Sequence, residues 1–153
     1  MTNHGRNIHA CHSRTGATRG HLQLTLTLPA SGQPVRLARE VTRGVLTTWG
    51  LAHVEETAVL LVSELVTNAV RHAASTDAIT LELEVVQTWL RIEAYRCRPG
   101  LAMPRTTGEF DESGFEFALV DSLADKWGVR ETVTGKTAWA ELDVRGEPGP
   151  HAR

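Results

Sequence analysis

The sequence predicts an α+β fold, a two-layer sandwich with helices on one face of a mostly antiparallel sheet. Three observations lead there. Several segments alternate apolar and polar residues with period two, two pairs of them are joined by connections too short for a parallel crossover, and the order is strand, helix, helix, strand, strand, long loop, helix, strand, strand. With 153 residues, a formal net charge of −2 and 41% hydrophobic residues, the chain suits one domain with its own core. No run approaches the roughly 18 apolar residues of a membrane span, and no apolar leader opens the chain, so a cytoplasmic protein is expected. The two cysteines, Cys11 and Cys97, cannot form a disulfide framework. The near-neutral balance argues against a nucleic-acid partner.

Residues 1 to 21 hold Arg6, Arg14, Arg19 and four of the seven histidines among Gly, Ser, Thr and Asn, a composition expected of a disordered arm. The Gly- and Pro-rich residues 145 to 153 read as a flexible tail, leaving a body from 22 to 144. Leu22, Leu24, Leu26 and Leu28 alternate with polar residues as a half-buried strand. Pro34 can open a helix, and Leu37, Ala38, Val41, Val45 and Trp49 recur at helical spacing until Gly50. A second helix, from 53 to 73, is apolar on almost every side and belongs in an interior. Ile79 to Val85 and Leu90 to Ala94 form a hairpin about Gln87-Thr88. Residues 97 to 112 show no periodicity and could form a lid. A helix from 114 to 127 is expected to stop at Gly128, and a last hairpin, 129 to 133 with 137 to 144, turns at Thr134-Gly135.

The chemistry-bearing residues sit on the second helix. At about 100° per residue, Asn68 lies about 40° from Glu64 and Arg71 about 20° to its other side, so the three share a polar stripe. A carboxylate and an amide oxygen at this spacing could hold Mg²⁺ or a water near a phosphate. The plainer reading is a stripe facing solvent, with His72 a satisfied core histidine on the apolar arc. His9, Cys11 and His12 lack a second ligand pair for a metal. Trp89, Trp127 and Trp139 read as packing rather than a base-stacking platform, and Glu82 and Glu84 as a solvated face.

Three runs carry a resemblance. Glu64-Leu-Val-Thr-Asn-Ala-Val-Arg-His-Ala73, then Glu112-Ser-Gly-Phe-Glu-Phe-Ala-Leu-Val-Asp-Ser-Leu-Ala-Asp-Lys-Trp-Gly-Val129, then Gly135-Lys-Thr-Ala-Trp-Ala-Glu-Leu142 closely resemble the anti-sigma-factor and serine-protein-kinase branch of the GHKL ATPases. The likeness spans about residues 22 to 144 and is greatest to short, single-domain actinobacterial members. It implies the Bergerat fold, with ATP and Mg²⁺ held between the helix layer and a lid. It also implies homodimerisation and, as partners, a sigma factor and an anti-sigma-factor antagonist phosphorylated on serine. By the resemblance Glu64 would orient or deprotonate the attacking hydroxyl and Asn68 would ligate Mg²⁺. Arg71 and His72 would border the nucleotide, Gly114 and Lys136 would lie at the phosphates or turn, and Thr137 would contact the adenine region. Gly135-Lys-Thr is also simply a hairpin turn, and not a P-loop, since Arg130 stands where that motif needs glycine.

Two positions depart from the family pattern. Arg96 falls on the aspartate that accepts the adenine amino group, and arginine has no acceptor to offer. Leaving that amino group unpaired costs about 1–3 kcal/mol, or about 10- to 100-fold in affinity. Glu93 could substitute only from the wrong face of its strand. Glu116 replaces a glycine at the helix entry, where Ser113-Gly-Phe-Glu116 could instead close a capping box. Two readings stay open: an ATP- and Mg²⁺-dependent serine kinase, or a degenerate member that regulates by binding a protein.

Overall fold

In a computed structural model, which describes residues 14–18, 21–97, 106–109, 117–132 and 135–145, seven strands form one sheet. The elements in order are β1 (Arg14–Thr18), β2 (His21–Pro29), α1 (Pro34–Thr48), a 3₁₀ turn (Ala52–Val54), α2 (Glu55–Arg71), β3 (Ala78–Val86), β4 (Trp89–Cys97), β5 (Thr106–Glu109), α3 (Ala118–Leu123), β6 (Lys126–Thr132) and β7 (Gly135–Asp143). The spatial order is β1-β2-β3-β4-β7-β6-β5, and each neighbouring pair is antiparallel. The α+β sandwich is therefore as the sequence predicts. Among the described residues no helix is long and apolar enough to cross a membrane.

Local chemistry explains the long elements. Pro34 occupies the first turn of α1, where a missing N–H is harmless, and Gly50 takes φ +74 just beyond its end. Glu55 and Glu56 fill the first turn of α2, where negative charge complements the helix dipole. Ala58, Leu61, Val62 and Val66 of α2 are 0% exposed, because that helix lies between α1 and α3 on the sheet, against β3, β4 and β7. Its outer side, at Glu56 and Leu60, and its last residue, Arg71, stay open. The β3–β4 hairpin turns through Gln87, whose φ is 56.

Three expectations need correction. The sheet begins inside the segment assigned to the arm: β1 pairs with β2 from Arg14↔Thr25 to Thr18↔His21, and backbone pairing needs no apolar side chain to advertise it. The aperiodic stretch from 97 to 112 begins on the last residue of β4, Cys97, and contains edge strand β5, paired to β6; the rest of the expected lid lies outside the described residues. Helix α3 is also shorter than its apolar spacing suggests. Ala124 turns extended, Asp125 N–H donates to the Glu141 carbonyl, and Trp127 and Gly128 belong to β6. Trp127 still packs beside the helix, stacked on Phe117 at 5.3 Å and donating to Asp121 Oδ1 at 2.8 Å.

Candidate functional site

Strand parity creates the site. On the helix-facing side β2, β3 and β4 present Leu and Ile, but β4 and β7 turn to alanine at Ala94 and Ala138, and α2 does the same at Ala69. Three small side chains facing one another leave a hollow of about 260 Å³ between the end of α2, β4, β6 and β7. Leu65, Ala69, Val129 and Phe117 complete its apolar walls. Its polar lining is Asn68, His72, Arg96, Glu131 and Lys136. This volume falls just under the about 300–1,000 Å³ usual for small-molecule sites.

The structure brings some of the predicted residues together and separates others. Asn68 lines the hollow, is 5% exposed, and its Oδ1 accepts from Arg71 Nη1 at 3.4 Å. Arg71 itself is exposed. Glu64 is half-buried one turn earlier and is not among the lining residues. His72 is not a core histidine: α2 ends at Arg71, so His72 becomes the exposed C-cap at the rim. Lys136 lies on the rim opposite Glu131, its cross-strand partner. Gly114 and Glu116 lie outside the described residues, as do His9, Cys11 and His12.

Thr137 is a correction. It is 4% exposed but sits on the other side of the sheet, in register with Tyr95 and Arg130, because adjacent residues of a strand point to opposite faces. Glu93 shares that outer face, bonded to Arg130 and, at 3.4 Å, to Arg91. It cannot reach the hollow.

Arg96 does face inward. Its Nη1 donates to the His72 carbonyl at 2.8 Å, and its Nε lies 3.8 Å from Asp77 Oδ2. Asp77 is 6% exposed, and the same oxygen accepts the Ala74 N–H at 2.8 Å. One guanidinium thus ties β4 to the C-terminal end of α2 and to the loop before β3. Sequence reasoning missed Asp77, Glu131 and Phe117. Glu131 could have been found from the hairpin register, which sets it across from Lys136.

A family profile described as histidine kinase-, DNA gyrase B-, and HSP90-like ATPase matches residues 53–146, from the 3₁₀ turn before α2 to just beyond β7. The chain belongs to that ATPase family. No curated protein matches the chain. Within this ATPase domain the hollow lies beside Asn68 on α2, and two features run against the adenine contacts that the resemblance implies. Arg96 offers only donors to a base edge, and Thr137 faces away. Among the described residues no group of three or more His, Cys, Asp or Glu could hold a metal ion. Mg²⁺ here would rely on Asn68, with Glu64 nearby, and on oxygens brought by the ligand.

Proposed function

We propose that this ATPase-family domain is a regulator that works by binding a protein, with a nucleotide pocket that holds ATP weakly or not at all. Following the resemblance, its partner is a sigma factor or an anti-sigma-factor antagonist. The observation that carries this reading is Arg96, whose guanidinium lines the hollow and is anchored to the His72 carbonyl beside the Asp77 carboxylate. A donor-only group cannot accept the adenine amino proton.

A second reading, ATP-dependent serine phosphorylation, is favoured by Asn68 lining the hollow with Glu64 one turn away on α2. Phosphoryl transfer depends mostly on positioning and charge stabilisation, so an intact asparagine and carboxylate keep it in view. Isothermal titration of the full chain with ATP and Mg²⁺ separates the two. The expected result is no saturation at about 1 mM nucleotide, and a dissociation constant near 1 μM overturns the binding-only reading. Arg96→Asn supplies an acceptor without setting a second carboxylate beside Asp77, and it should improve ATP affinity by about 10- to 100-fold. No gain would mean that Arg96 is not the obstacle.

A further inference from the structure

A second concavity lies on the other side of α2, and its chemistry differs from that of the first. Arg36, Arg39 and Arg43 recur along α1 at intervals of three and four residues, so they share one helix face and extend over roughly 10 Å of its length. All three line a groove of about 540 Å³. Ala30, Pro34, Val35 and Val70 give it an apolar floor, with the loop between β2 and α1 on one side. Glu40 is the acidic residue among its described lining, and it accepts from Arg36 Nε at 3.3 Å. Three positive charges therefore face one negative, in a chain whose formal net charge is −2.

One further observation favours an anionic ligand. Helix α1 has no side-chain N-cap and no acidic residue in its first turn, so the positive end of its dipole adds to the arginines.

We propose that this groove docks an acidic segment of a partner protein. Carboxylates on the segment meet Arg36, Arg39 and Arg43, and an apolar side chain rests on Val35 and Val70. A helix with acidic residues at i, i+3 and i+7 matches the arginine spacing. The apolar floor and the negative net charge favour a peptide over a nucleic acid, which needs a broad basic surface. This site does not depend on what the first hollow binds.

The test is fluorescence anisotropy of the full chain, without nucleotide, against a labelled alanine-based helical peptide carrying Glu at i, i+3 and i+7 and one Leu between them. The Glu peptide should bind at low salt, weaken as salt rises, and bind at least about tenfold better than its Gln counterpart. Arg39→Gln should cost about tenfold, and so should Arg36→Gln combined with Arg43→Gln, a pair of exposed positions that leaves the fold intact. No binding of the Glu peptide at about 1 mM, equal binding of the Gln peptide, or indifference to all three substitutions would overturn the proposal. Tighter binding of a duplex oligonucleotide than of the peptide would overturn it too.

Discussion

The two faces of the sheet are built from alternate residues of the same strands, yet they are stabilised by different means. Toward the helices, Ile79, Leu81, Leu83, Leu90 and Ile92 are all 0% exposed, and their burial supplies most of the free energy that orders β3 and β4. Toward the outside, the same strands present a charged and aromatic lattice. Arg91 lies 3.5 Å from Glu141 and 4.3 Å from the centre of the Trp139 ring. Lys126 covers Trp89 at 4.6 Å, Tyr95 donates to Glu82 at 3.3 Å, and His21 meets Glu84 at 3.0 Å. Glu82 and Glu84 are thus partnered rather than merely solvated, and Trp89 and Trp139 each carry a cationic group over the ring. The contrast explains why the hollow opens where it does. An apolar face can be emptied by three alanines, whereas a face of paired charges closes on itself.

The most severe way to test this contrast is to compare neighbours on opposite faces. Ile92→Ala should lower unfolding free energy by about 2–5 kcal/mol in urea titration, because it leaves a void in the core. Arg91→Ala, one residue earlier and on the outer face, should stay within about 1 kcal/mol. Equal losses would dissolve the distinction.

A smaller effect is expected where the outer face is tightest. A Cβ on Gly128 would stand 2.8 Å from Trp139 Nε1, too close for the indole to remain in place. Gly128→Ala should therefore cost about 1–3 kcal/mol, and much less in a Trp139→Leu background. The same cost in both backgrounds would show that the indole is not the obstacle.

The smallest effect concerns charge. Burial first, and the neighbouring Glu93 charge second, raise the Glu82 carboxyl above the ordinary value of 4.5. The folded state then holds that proton more tightly than the unfolded chain. The group favours folding below about pH 4.5, and this contribution is lost as pH rises through the folded-state value. Glu82→Gln keeps an acceptor for the Tyr95 hydroxyl and removes the charge. Its melting temperature should exceed that of the parent at pH 7, and the difference should shrink toward pH 4. A difference independent of pH would assign the effect to packing instead.

By itself the sequence determined what depends on neighbours along the chain. Period-two alternation fixed β2, β3, β4 and which of their residues face the helices. Pro34 and Gly50 bounded α1, and the apolar girth of α2 placed that helix at the centre. The stripe of Glu64, Asn68 and Arg71 was legible for the same reason. Only the tertiary structure decided features that depend on distant neighbours. Strands β1 and β5 exist because a sheet edge offers them backbone partners, and no side-chain pattern records that offer. Helix α3 ends early because Asp125 bonds across to Glu141. Strand register put Thr137 on the outer face, and the end of α2 set the His72 carbonyl where Arg96 could reach it. A side chain's identity is written locally. What it faces is settled by the packing of elements that meet only after the chain has folded.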